Sequence, residues 1–160
     1  MIQIVSWARL AVFIVIAELA GVFGSLFTFK AIPAWYAKLN KPSFSPPNWL
    51  FGPVWTVLYA LQGLAAYLVY EQRNANPSSN AALWLFWIQL ALNALWTPLF
   101  FGLKNPQLAF YEIVILWIFI VLTMVWFFRV NLVAGALFLP YLAWVTFASA
   151  LNFYIWRLNP

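Results

Sequence analysis

Five stretches of this chain are almost wholly apolar: Val5 to Phe29, Trp49 to Tyr70, Asn80 to Phe101, Pro106 to Phe128 and Val133 to Trp156. Each is long enough to cross a hydrocarbon core of about 30 Å at about 1.5 Å per residue of helix. Lipid offers a backbone no hydrogen-bond partner, and the helix is the form that satisfies its own N–H and C=O groups within one segment. With 66% hydrophobic and 7% charged residues, the chain falls far short of the about 25% charged residues of a soluble domain. The expected fold is an all-α membrane protein, a single integral domain over residues 1–160 built as a five-helix bundle. A cleaved signal peptide is the rival reading of the first stretch, with Arg9 as its basic flank and Leu10 to Ala17 as its core, but the apolar run continues well past that core.

The segment that joins the first two stretches, Lys30 to Asn48, is expected to be a long loop rich in aromatics and proline. Pro42, Pro46 and Pro47 keep it irregular, while Trp35, Tyr36, Leu39 and Phe44 make it too aromatic to float in water, so it should fold back over the helix ends as a lid. Asn48 is a candidate helix cap, and Pro53 falls in the first turn, where an interior bond is least missed. Trp55 and Tyr59 then share a helix face, with Gln62 and the notch of Gly63 next along it. Gln89, Asn93, Trp96 and Phe100 fall at spacings of four, three and four, which puts two amides and two rings on one inward face of the third helix. Trp144, Ala148 and Asn152 line one face of the fifth. Pro98 is expected to kink the end of the third helix and Pro140 to bend the fifth. If the three faces converge, they define a cavity walled by indoles with a small floor at Ala148, suited to a flat, apolar ligand. Tight packing without a ligand is the alternative reading of the same rings.

The polar residues are few enough to take singly. There is no cysteine and no histidine, which removes thiolate chemistry, imidazole acid/base catalysis and the usual zinc and haem ligands. The Lys and Arg residues are scattered singly, so nucleic acid is not an expected partner. Glu18, near the middle of the first helix, is either a functional group or a carboxyl that glues helices. Ala17, Gly21 and Ser25 form a small-residue stripe that would let another helix approach closely, from the same chain or from a second subunit. Glu112 and Tyr111 stand near the entrance of the fourth helix, which otherwise reads as scaffold.

Three ordered blocks of residues carry a resemblance that spans nearly the whole chain. The first is Trp35, Tyr36, Leu39, Lys41, Pro42, Phe44, Pro46, Pro47, Trp49, Phe51, Pro53, Val54, Trp55, Thr56, Leu58 and Tyr59; the second is Asn93, Trp96, Thr97, Pro98, Phe100, Phe101 and Gly102; the third is Leu139, Pro140, Tyr141, Trp144, Leu151, Asn152 and Trp156. Together they resemble the signature of the translocator protein family, also called tryptophan-rich sensory proteins or peripheral-type benzodiazepine receptors. The resemblance implies a membrane protein, often a homodimer, that binds porphyrins such as protoporphyrin IX or haem, in some members sterols, with no obligatory cofactor. It places ligand contacts at Tyr36, Pro46, Trp55, Tyr59, Asn93, Trp96, Trp144 and Ala148, under a lid that includes Trp35 and Tyr36. Leu151, Tyr154 and Arg157 also satisfy the loose pattern proposed for cholesterol contact, for which an interfacial tyrosine and a snorkelling arginine are the alternative.

Three functions are open on these grounds: a porphyrin-binding sensor or regulator of tetrapyrrole and stress metabolism, a carrier of such ligands, and a light-dependent porphyrin-degrading enzyme. No general base, nucleophile or metal site is available to the last, so its chemistry would have to come from the excited ligand, oxygen and nearby Trp or Tyr. With five helices, Lys30, Lys38, Lys41, Lys104 and Arg157 share one side, against Arg9, Arg73 and Arg129. The positive-inside rule then puts the C-terminus in the cytoplasm, in the inner membrane of a bacterium. A reporter fused to the C-terminus should be active only when its folding requires the cytoplasm; activity confined to the outside would reverse the orientation.

Overall fold

The computed structural model describes residues 4–160. All regular structure among them is helical: α1 Trp7–Ala34, α2 Phe51–Glu71, α3 Ser78–Thr97, α4 Pro106–Val130, α5 Leu132–Leu137 and α6 Leu139–Leu158, with 3-10 turns at Tyr36–Lys38 and Asn48–Leu50 and a π-helical turn at Pro98–Gly102. The short α5 continues into α6 as one span, so five segments are long and apolar enough to cross a membrane, as the sequence predicts. Two boundaries differ from expectation. The first helix runs beyond Phe29 to Ala34 with Pro33 inside its last turn, where the missing proline N–H costs a single bond, so the connection to α2 is shorter than Lys30 to Asn48. Asn48 opens a 3-10 turn and makes no side-chain cap.

Both expected proline effects are present, each in a specific form. Pro98 has no N–H to give to the carbonyl one turn back, and the chain widens there until Leu103 N donates to the Pro98 carbonyl, five residues back, at 2.8 Å. Pro140 removes the corresponding bond in the fifth span, which breaks at Phe138 into α5 and α6. Asn105 and Asn131 cap α4 and the fifth span by accepting from Leu108 N and Ala134 N, which makes the two turns between spans short and sharp.

Around the bundle the order is α1, α2, fifth span, α4, α3, with α3 closing on α1. The packing is uneven along the bundle. Away from the loop, small residues sit between helices: Ala65, Ala66, Ala82 and Ala134 are fully buried, and a Cβ on Gly63 would stand 2.6 Å from Ile14 Cα, so α1 and α2 touch backbone to backbone. The expected notch at Gly63 is therefore filled by α1. Toward the loop, the inward positions are held by Trp55, Trp96 and Trp144, and the helices diverge; α2 packs on α5 but hardly on α6. In one half of the bundle small residues let α1 and α2 touch while Phe13, Tyr67, Phe86, Phe127 and Phe138 fill the rest of the core, and in the other half indoles line a cavity.

Hydrogen bonds tie each end. At the loop end Asn40 N donates to Asn159 Oδ1 at 3.0 Å and Asn159 Nδ2 donates to the Asn40 carbonyl at 2.9 Å, which fastens the loop to the end of α6. At the other end the Tyr67 hydroxyl accepts from Val5 N and Ser6 N at 2.9 and 3.0 Å, and Arg9 pairs with Glu71 at 3.0 Å.

Two of the three residues of the small-residue stripe of α1, Ala17 and Gly21, are used inside the bundle, together with the neighbouring Gly24, while Ser25 is exposed. Ala17 is fully buried, a Cβ on Gly21 would lie 2.7 Å from Tyr59 Cε2, and one on Gly24 would lie 3.0 Å from Thr97 Oγ1. Gly21→Leu should therefore destabilise the monomer by about 1–3 kcal/mol, as overpacking does, and Gly63→Ala should do the same because backbone cannot move aside as a ring can. Thermal unfolding of the detergent-solubilised protein, followed by circular dichroism, measures both. A Gly21→Leu protein that stays folded at the wild-type midpoint but loses self-association would place the stripe at a subunit interface instead.

Candidate functional site

The divergence of the helices encloses a cavity of about 470 Å³, within the roughly 300–1,000 Å³ typical of small-molecule sites. Every span contributes to its wall: Glu18, Gly21 and Ser25 from α1, Trp55 and Tyr59 from α2, Asn93 and Trp96 from α3, Ile113 and Leu116 from α4, and Trp144, Ala148, Leu151 and Asn152 from α6. Trp55 stacks on Tyr59 with ring centroids 5.4 Å apart and 28° between planes, and Trp96 stacks on Phe100 at 4.9 Å and 23°. Val22, Ser25, Gly52 and Thr56 line the cavity and are also exposed on the outside of the bundle, so it opens sideways between α1 and α2, toward lipid.

The roof is the loop. Tyr36 is buried with its ring on the cavity wall, and burial pushes its phenol above the ordinary value, so it stays neutral. Lys41 Nζ lies 4.6 Å from the centre of that ring on the loop side. Trp35 packs edge-on against Phe100 and Phe101 at 5.6 and 6.3 Å, the two rings that the π-helical turn at Pro98 presents. Phe44 reaches across to Phe147 and Tyr154 of α6 at 6.2 and 5.5 Å. The loop thus bridges from the α3 end to α6 on aromatic edges, each worth about 0.5–1.5 kcal/mol beyond its area.

Several polar groups in and around the wall are committed to one another. The Tyr59 hydroxyl donates to Asn93 Oδ1, Asn93 Nδ2 donates to the Tyr141 hydroxyl at 2.9 Å, Tyr141 donates to Gln89 Oε1 at 3.1 Å, and Gln89 Nε2 donates to Gln62 Oε1 at 3.1 Å. Nearer the loop, Trp96 Nε1 donates to Asn152 Oδ1 at 3.1 Å and Asn152 Nδ2 to the Pro106 carbonyl at 2.7 Å. Trp144 Nε1 is buried and makes no hydrogen bond with any described residue. Glu112 is buried with neither carboxyl oxygen bonded to any described residue, but it stands behind the wall rather than in it.

A family model described as TspO/MBR matches residues 12–157, a span that takes in the whole cavity wall. The chain belongs to the TspO/MBR family. It is 48% identical over 146 residues to a tryptophan-rich protein TspO of Archaeoglobus fulgidus, covering 91% of this chain and 94% of that one. It is 42% identical over 150 residues to protein CrtK of Rhodobacter capsulatus, covering 94% and 92%, and 36% identical over 154 residues to the human translocator protein, covering 96% and 91%.

In this TspO/MBR member seven of the eight expected contact residues face one space: Tyr36, Trp55, Tyr59, Asn93, Trp96, Trp144 and Ala148 line the cavity, while Pro46 is half-buried in the loop and outside the wall. Trp35 is an anchor of the roof rather than part of its inner surface. Leu151 is buried and faces the cavity, whereas Tyr154 and Arg157 lie on the outside, because positions three apart rotate steadily around a helix; the three do not form one lipid-facing surface. Sequence reasoning did not place Ile113 and Leu116 of the supposed scaffold helix at the wall, and nothing in an all-apolar stretch marks which residues do so. It also did not single out the Tyr141 hydroxyl as the hub of the polar chain, although a tyrosine beside Pro140 on an inward face was a usable signal.

Tyr141→Phe should leave Asn93 Nδ2 and Gln89 Oε1 without their partner. Polar pairs between membrane helices are worth about 0.6 kcal/mol on average and up to about 1.7, so a loss of about 1 kcal/mol in unfolding free energy is expected, read by thermal or denaturant unfolding in detergent. A wild-type midpoint would mean that the two amides re-pair without the hydroxyl.

Proposed function

We propose that this protein binds a porphyrin, protoporphyrin IX or haem, in the indole-walled cavity and acts as a membrane sensor or regulator of tetrapyrrole and stress metabolism. The observation that carries this reading is the pairing of stacked rings with a wall in which the central polar groups are already bonded, Tyr59 to Asn93 and Trp96 to Asn152. A wall of stacked rings and aliphatic side chains grips by area and stacking and fixes orientation with a few polar contacts, which suits a broad, flat, mostly apolar ring system. Lys30, Lys38 and Lys41 sit at the loop end, where the carboxylates of a porphyrin would emerge, and no Lys or Arg lines the interior. A relative from Cereibacter sphaeroides, 46% identical over 125 residues, is a tryptophan-rich sensory protein, which supports a sensory role here.

The sideways opening between α1 and α2 favours a second reading, a carrier that exchanges its ligand with the bilayer; flux of protoporphyrin across sealed vesicles distinguishes it from a sensor that only binds. An inner-membrane location with a cytoplasmic C-terminus belongs to the same proposal and rests on the charge distribution. Self-association, which the family resemblance implies, would have to use a face other than the Ala17 and Gly21 stripe.

Titration of protoporphyrin against the detergent-solubilised protein, followed by tryptophan fluorescence quenching, tests the site. Trp144→Ala removes a wall ring and should weaken binding roughly tenfold or more, since a stacked ring contributes on the order of 1 kcal/mol beyond its area. Ala148→Phe should abolish binding by filling the floor while the fold survives. Trp117→Phe is the control, because Trp117 is on the outer surface, bonded to Thr146 at 2.8 Å. Wild-type affinity in both Trp144→Ala and Ala148→Phe would put the porphyrin elsewhere.

A further inference from the structure

The porphyrin reading leaves Glu18 without a task. Its carboxyl lines the cavity and is partly exposed to it, yet makes no hydrogen bond or ion pair with any described residue, and it is the one acid or base in the wall. It lies well inside α1, more than two turns from either end, at a depth where an unpartnered charge is costly and marks a functional site. Its surroundings are specific. Gly21, one turn on, is covered by the Tyr59 ring, and Trp55 stacks on that ring, so the carboxyl stands beside a pair of aromatic rings in an apolar chamber that opens toward lipid between α1 and α2.

We propose that this part of the cavity is a binding site for a lipophilic organic cation, a bulky quaternary or protonated amine in chemical class, with Glu18 as its counter-charge and Trp55 and Tyr59 as its aromatic walls. A carboxylate in a low-dielectric chamber attracts a cation far more strongly than it would in water, and ring faces add cation–π attraction for a desolvated, diffuse charge. A bare metal ion does not suit the place: hard cations need several oxygen ligands, Glu18 is the only acidic oxygen donor in the wall, and no cluster of three potential ligands occurs among the described residues. The side opening matters as much as the charge, because a cation with an apolar body concentrates in the bilayer and can enter from there. The site requires only the cavity, not the porphyrin, so each can fail without the other.

Tetraphenylphosphonium and tetraphenylborate are nearly the same size and shape and opposite in sign, and equilibrium dialysis of each against the full-length protein in neutral-detergent micelles, corrected with empty micelles, reads the preference. Tetraphenylphosphonium should bind saturably to the wild type, about tenfold or more weaker to Glu18→Gln, and within about threefold of wild type to Glu18→Asp, which keeps the charge. Tetraphenylborate should bind the wild type at least about tenfold more weakly and should gain rather than lose in Glu18→Gln. Equal tetraphenylphosphonium affinity in wild type and Glu18→Gln, no saturable binding, or equal binding of the two ions to the wild type would each overturn the proposal and leave Glu18 a neutral packing group. The last comparison needs no variant and decides the matter if Glu18→Gln fails to fold. Protoporphyrin titrated on the same wild-type preparation keeps the readings apart: porphyrin without phosphonium removes only the cation site, and phosphonium without porphyrin removes only the porphyrin reading.

Discussion

A polar side chain inside a bilayer has nowhere to turn except to another part of the protein, and this one rule organises the bundle. Gln62 and Tyr59 on α2, Gln89 and Asn93 on α3 and Tyr141 on α6 form a single hydrogen-bonded chain, and each link fixes the rotation and register of one helix against another. Lipid tails are as apolar as leucine, so burying Leu or Phe between helices gives little preference for one arrangement over another. The amides and phenols supply that preference, and the aromatic packing then fills in around the register they set.

A chamber in a packed membrane protein has to be held open by something. Here Trp55 on α2, Trp96 on α3 and Trp144 on the fifth span stand at the wall and keep the helices apart. α2 passes from Phe51, Trp55 and Tyr59 to Gly63, Ala65 and Ala66 within four turns, and the fifth span passes in the opposite chain direction from Ala134 and Gly135 to Trp144. The breaks at Phe138 and Pro98 belong to the same design: they redirect α6 away from α2 and swing Phe100 and Phe101 under the loop.

How much of this could be read from the sequence follows from how local each feature is. Five spans, an aromatic loop folded over them, inward amides at Gln89 and Asn93 and disruptions at Pro98 and Pro140 are properties of single stretches, and periodicity or the missing proline N–H exposes them. What the chain hides is which neighbour meets which face. Gly63 read as an open notch and is filled by the backbone at Ile14; the Ala17 stripe fitted a subunit contact as well as an internal one; α4 read as scaffold yet gives Ile113 and Leu116 to the wall. Each depends on helix order around the bundle, and that order is set by pairings far apart in sequence. Seven of the contact positions implied by the family resemblance converge, because the ring and amide spacings that define them are themselves helical faces.

The two halves of the molecule also differ in how readily they can move. In the closed half, opening the bundle would expose backbone contacts at Gly63 and unpair buried amides, and each loss leaves a polar group or a cavity that lipid cannot repair. At the roof the contacts are ring edges, Trp35 on Phe100, Phe44 on Tyr154, Phe51 on Trp144, together with the Asn40 and Asn159 bonds at the water-facing end. Ring edges can slide with modest loss, and exposed amides can exchange their partner for water, so the free energy of local opening is lowest where a ligand must pass. The chain from Tyr59 to Gln62 lies beneath the chamber, so the loop can lift, or α1 and α2 can part at Ser25 and Thr56, without disturbing the register on which the wall depends. A base tied by hydrogen bonds and a roof held by ring edges let the bundle keep its register while the chamber opens at lower cost at the loop.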